Sequence, residues 1–180
     1  MTTSAAAVTR PAEGEFAPYF SRYIDRVPDG DVVERLERQI VETEALLAGV
    51  GEARAGDRYA PGKWSVKEVV GHLSDTERVM SYRLLRIARG DATPLPGFEQ
   101  DDYVRAAGFD RLALADLVAE LLAVRRATLA LLRGLDDVAL ARRGTVNGAP
   151  MSARALTYII AGHELHHAAI LRQRYLGGVD

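Results

Sequence analysis

The sequence predicts an all-α protein: a bundle of four long helices with a long crossover after the second. Three observations carry that prediction. Alanine (28) and leucine (21) dominate a chain that is only 7% aromatic, a mixture rich in helix formers and poor in strand formers. Apolar residues recur at spacings of three and four in four long windows. Three of those windows open on Asp or Ser and close on glycine.

Taken in order, residues 1–28 are punctuated by Pro11, Pro18 and Pro28. They read as an irregular leader that packs through Phe16, Tyr19, Phe20 and Tyr23, ahead of a bundle domain over 29–180. The first long helix starts after Asp29-Gly30-Asp31, carries Val33, Leu36, Ile40, Thr43 and Leu47 on one face, and stops at Gly49 and Gly51. A connector with Pro61-Gly62 follows. Ser65-Val66-Lys67-Glu68 then forms a capping box, flanked by Trp64 and Val69 as a hydrophobic staple. The second helix runs from there to about Arg89, on a stripe of Val66, Val69, Val70, Leu73, Met80, Leu84 and Ile87. Residues 91–109, with Pro94 and Pro96, form the crossover, whose Glu99, Asp101, Asp102 and Tyr103 are placed to lid a pocket or simply to meet solvent. The third helix spans about 111–135. Asp136 to Ala141 suits one short turn, and Thr145 to Met151 a tight turn with two short extended arms. Ser152 caps the fourth helix, which continues to about Leu176.

Composition narrows the function classes. Lys+Arg number 23 against 25 Asp+Glu, a net charge of −2, so the electrostatic excess of a nucleic-acid binder is missing. With no cysteine, disulfides, thiolate-held metals and thiol nucleophiles are excluded. No apolar window is long enough to span a membrane. The short apolar patch at Ala5–Val8 has its nearest positive charge, Arg10, on the wrong side for a signal peptide. The expectation is a cytoplasmic protein.

The four histidines, at 72, 163, 166 and 167, are the informative residues. His163 and His167 are four apart in the middle of the apolar stripe of the fourth helix, so their rings share a face one turn apart. Burying both leaves ring nitrogens that the helix backbone cannot pair, and a divalent metal satisfies both at once. His166 projects away from that face. A third ligand must come from His, Asp or Glu, and His72, on the flank of the second helix, is the only histidine elsewhere. His163-Glu164-Leu165-His166-His167 also matches the H-E-x-x-H peptidase pattern. The only acid downstream is Asp180, and the accompanying sheet is missing, so the peptidase reading fails. Glu164 stays a candidate general base. Glu77, near the centre of the second stripe, is expected to pair with Arg125 or Arg126 rather than to support a ligand.

Two motifs, Trp64-Ser-Val-Lys-Glu-Val-Val-Gly-His-Leu-Ser-Asp-Thr-Glu77 and Gly162-His-Glu-Leu-His-His167, stand in order with one helix between them. In these the sequence resembles the DinB/YfiT-like metalloenzyme family. The resemblance implies an up-down-down-up four-helix bundle, often dimeric, with His72, His163 and His167 as a three-histidine site for nickel or zinc; iron and manganese also suit imidazole. It further implies a metal-dependent transferase using a low-molecular-weight thiol on a small-molecule substrate. A metal-dependent hydrolase with Glu164 as base is the alternative, and a non-catalytic, metal-stabilised stress-response or binding bundle is a third. A second small-residue face on the fourth helix (Tyr158, Ala161, Leu165, Ala168, Ala169) points to a homodimer.

Overall fold

A computed structural model describes residues 8–177; residues 1–7 of the leader and 178–180, with Asp180, lie outside the described residues. Seven helices and one hairpin follow in order: α1 (Ser21–Ile24), α2 (Val32–Ala48), α3 (Val66–Ala88), α4 (Gln100–Ala107), α5 (Leu114–Arg133), α6 (Asp137–Ala141), β1 (Arg143–Val146), β2 (Ala149–Ser152) and α7 (Ala153–Ile170). The long ones start where side chains satisfy their free amides. Asp31 accepts from Val33, Ser152 accepts from Ala155, and Ser65 and Glu68 form the reciprocal capping box.

α2, α3, α5 and α7 form the bundle. α3 packs against α5 and α7, and α2 packs against the same two. The chain-consecutive helices α2 and α3 therefore sit diagonally, as do α5 and α7. The core is filled by Leu36, Leu84, Ile87, Leu117, Leu156 and Ile159, all essentially inaccessible.

The crossover contains α4, which the sequence does not reveal. Only Val104 of α4 is buried, so there is no apolar stripe to read. The helix rests instead on Asp101 and Asp102 in its first turn, Arg105 in its last and Gly108 in the left-handed conformation after it. A 3-10 turn at Phe109–Arg111 then delays α5 to Leu114. The short arms become a true hairpin through Asn147-Gly148, both at positive φ, the requirement of a two-residue turn. Leu95 pairs with this hairpin, its amide donating to Thr145 O and its carbonyl accepting from Asn147 N, each at 2.9 Å. The crossover is thus tied down at its middle. At the far end, α7 stops at Ile170 and widens into a π-helical turn over Leu171–Tyr175.

The described part of the N-terminal segment is less irregular than expected. Pro18 opens a 3-10 turn that leads into α1, the position where a missing amide costs nothing. Val8, Tyr23, Ile24 and Val27 enter the core, while Tyr19 is exposed. This segment covers α7 closely: a Cβ at Gly162 would lie 2.0 Å from Tyr23 O. Alanine gains about 1 kcal/mol over glycine in helix propensity. Even so, Gly162→Ala is expected to destabilise by roughly 1–3 kcal/mol, the usual cost of overpacking. A thermal midpoint that rises instead would show that α1 is not held there. Tyr158, Ala161 and Ala168 are buried within the chain, so most of the face read as a dimer interface is filled from inside.

Candidate metal centre

α3 delivers His72, and successive turns of α7 deliver His163 and His167. All three are buried, and one ring nitrogen of each falls within 4.8 Å of the others. His72 Nε2 and His163 Nε2 are 3.0 Å apart, and the ring centroids of the three lie 4.6–4.9 Å from one another. Thr76 Oγ1, one turn after His72, sits 3.3 Å from His72 Nδ1 and orients that ring. His166 stays outside the cluster, edge-on to Tyr23 at 5.5 Å.

Two aromatic side chains wall the centre. Trp64, read from sequence only as a staple, lies 4.6 Å from the His72 ring and nearly parallel to His167 at 6.4 Å. Tyr23 meets His163 edge-on at 5.2 Å. Neither role was legible in the sequence, because one depends on how the N-terminal segment covers α7 and the other on how the connector before α3 folds back over the histidines.

Burial pushes His72 down to about 4 and His167 to about 3, and holds His163 well below its ordinary value, with the neighbouring rings adding to the last two. All three imidazoles are therefore neutral at pH 7, with lone pairs to offer. His167 Nδ1 is buried without a hydrogen-bond partner among the described residues. These features fit a divalent cation. Tetrahedral nitrogens at Zn–N bonds of about 2.0 Å lie about 3.3 Å apart, close to the His72–His163 spacing.

The same burial makes the metal-free fold acid-sensitive. An ordinary histidine takes its proton near 6.5, whereas folded His72 waits until about 4. In that window the unfolded chain binds more protons, so stability falls as pH drops through it. Urea midpoints of chelated protein at pH 7 and 5 should show this loss, and His72→Gln should reduce the slope. Equal midpoints would mean that the rings protonate freely within the fold.

Behind the histidines lies a buried ionic cluster. Glu77 and Arg125 form a bidentate pair, both bonds 2.8 Å, the partnership expected for Glu77. Glu164, although adjacent to His163, turns toward α2 and α5: Thr43 donates to its Oε1, and Arg125 Nη2 lies 2.5 Å from its Oε2. Arg125 Nη2 thus stands between two carboxylates, bonded to Glu77 and in ion-pair contact with Glu164. Burial raises the Glu164 carboxyl, opposed by Arg125 and Thr43. Burial alone would lower the Arg125 guanidinium, but Glu164 and Glu77 outweigh it. A cavity of about 10 Å³, room for one water, lies between His163, Glu77, Arg125 and Glu164.

His163 also lines a larger cavity of about 390 Å³. Its walls include Tyr19, Phe20, Tyr23, Met80 and Phe98, and its polar lining includes Thr76, Arg83, Asn147, Glu99, Gln100 and Asp101. Of the crossover residues read as lid candidates, Glu99 and Asp101 reach this cavity.

Comparison with known proteins agrees with this architecture. A family model described as the DinB superfamily matches residues 35–171. Among solved structures, YfiT from Bacillus subtilis, described as a probable metal-dependent hydrolase with an unusual four-helix bundle topology, superposes with TM-score 0.70 at 17% identity. The match covers 92% of this chain and 90% of that one. A mycothiol-dependent maleylpyruvate isomerase superposes with TM-score 0.65 at 17% identity over 87% of this chain, which spans 63% of the isomerase. No curated protein sequence matches significantly. Among the described residues no helix is long and apolar enough to cross a membrane.

Proposed function

The chain belongs to the DinB superfamily, and from that premise we propose a divalent-metal-dependent transferase that uses a low-molecular-weight thiol on a small-molecule substrate. The observation that carries this reading is the convergence of three buried, neutral imidazoles, one with an orphaned nitrogen, at the side of a cavity large enough for a small molecule. His72, His163 and His167 are the proposed ligands, with nickel or zinc as the ion. When bound between neutral imidazoles, such an ion keeps its full charge and supplies Lewis acidity that ionises a thiol or water near neutral pH.

The chain's own residues do the rest. Thr76 holds the His72 ring in orientation, while Trp64 and Tyr23 screen the centre from water. Glu77 and Glu164, with Arg125 between them, place carboxylates behind the histidines that offset a cation's charge.

The orientation of Glu164 favours transfer over hydrolysis. A general base must reach the proton it removes, and this carboxylate is engaged by Thr43 and Arg125 and does not line the larger cavity. The hydrolase alternative keeps two supports, the description of YfiT and the water-sized cavity that Glu164 shares with His163. A homodimer is supported by the family resemblance, but most of the α7 face read as its interface is covered within the chain, so it would use another surface.

Trp64 is the only tryptophan and lies against His72, which supplies a direct assay. Titration with Co²⁺ should quench its fluorescence with an endpoint near one equivalent. Adding cysteine or glutathione should then produce thiolate-to-cobalt absorption in the near ultraviolet, in Glu164→Gln as in the parent. Quenching without that absorption would leave the metal site standing and remove the thiol.

A further inference from the structure

The cavity beside His163 contains a cation with no carboxylate in ion-pair contact. Arg83 is 5% exposed, yet among the described residues no carboxylate lies within 4.0 Å of its guanidinium. Its contacts are neutral. Nη2 donates to the Pro96 carbonyl at 2.6 Å, Nη1 lies 3.5 Å from Met80 Sδ, and the Phe98 ring faces the group at 5.6 Å. Arg125, the other buried arginine among the described residues, has two carboxylates. Arginine stays protonated, and a charge withdrawn from water requires compensation. Burial indeed lowers this guanidinium from its ordinary value. Glu99 and Asp101 line the same cavity without coming within ion-pair distance, and open space lies beside the guanidinium.

That space has a definite shape. α3 places His72, Thr76, Met80 and Arg83 along one side, and Thr76, Met80, Arg83 and His163 all line the cavity. A rise of 1.5 Å per residue separates the backbones of residues 72 and 83 by about 16 Å, and the Arg83 side chain, leaning back to Met80, shortens this to on the order of 10 Å. Tyr23 and Phe98 supply apolar walls in between. Glu99 and Asp101 also line the cavity, so a second anionic group meets like charge.

We propose that Arg83 anchors the carboxylate of a small acid with one anionic group and an apolar or aromatic body, whose far end reaches the three-histidine centre. Arg83 is a specificity-determining residue in this assignment, which rests on reading that centre as the place of chemistry.

The test compares 4-phenylbutyrate with its neutral amide by calorimetry, with and without added zinc. The acid should bind wild-type protein about tenfold or more tightly than the amide, the usual advantage of a charge-assisted pair. Arg83→Gln should abolish that preference and Arg83→Lys should retain part of it. In wild-type protein the Arg83 Nε–H resonance, identified by its loss in Arg83→Lys, should shift with acid and not with amide; this readout stands even where Arg83→Gln fails to fold. No binding by wild type, equal binding of the two probes, or a preference surviving in Arg83→Gln would each overturn the assignment. A preference that survives Arg83→Gln but vanishes on chelation would put the acid on the metal, overturning the role of Arg83 while keeping the centre. An Arg83-dependent preference in protein that binds no metal would keep this assignment and remove the metal reading.

Discussion

Replacing any one of His72, His163 or His167 with alanine will strip the divalent ion from the purified protein, whereas His166→Ala will leave it near one equivalent. The three rings present nitrogens within 4.8 Å of one another, so each supplies about a third of the bonding and none has a substitute nearby. Glu77 and Glu164, which share a small cavity with His163, are committed to Arg125. Loss of a supporting partner around a metal typically costs 10–100-fold in affinity, and loss of a direct ligand should exceed about 100-fold. His166, edge-on to Tyr23, only packs. Elemental analysis after dialysis against a weak chelator measures all four variants. Equal metal loss in His166→Ala would refute the face assignment on α7, and full metal content in the other three would reduce the cluster to core packing.

Arg125→Met should cost about 3–5 kcal/mol of folding stability, the penalty for leaving buried charge uncompensated. The substitution preserves volume but leaves Glu77 and Glu164 facing one another in the core, each about 5% exposed. It also removes a donor from the Leu36 carbonyl. The loss should fall mostly on the carboxylates. The triple change Arg125→Met, Glu77→Met, Glu164→Leu should therefore recover much of it, because a buried ionic triad is often no more stable than an apolar replacement. Urea unfolding with a common slope decides the matter. A cost below about 1 kcal/mol for Arg125→Met would mean that water reaches the cluster and the pairs are solvated.

The two predictions depend on features of unequal legibility. The helices on which the histidines ride could be read locally. Ser65 and Ser152 mark their starts by capping chemistry, and the His163/His167 spacing places both rings on one face whatever the helix packs against. The Glu77–Arg125 pair was also anticipated, because an acid in an apolar stripe needs a cation and the next bundle helix offers Arg125 and Arg126 at its middle. Glu164 was the harder residue. Its place beside His163 suggested chemistry, yet the next position on a helix lies about 100° around the axis, and which neighbour fills that direction is not a property of α7.

By itself the sequence determined the four long helices, the caps, the absence of thiolate ligands and the presence of two histidines on one helical face. Each is decided within a few residues by backbone amides, side-chain periodicity or composition. Only the tertiary structure decided that His72 closes the cluster, that Trp64 and Tyr23 wall it, that α4 folds within the crossover, and that Glu164 turns to Arg125 while Arg83 is left unpaired. Those outcomes depend on residues distant in the chain. His72 and His163 are separated by 91 positions and Thr43 and Glu164 by 121, and their meeting follows from the diagonal order of α2 and α3 in the bundle, which no local spacing encodes.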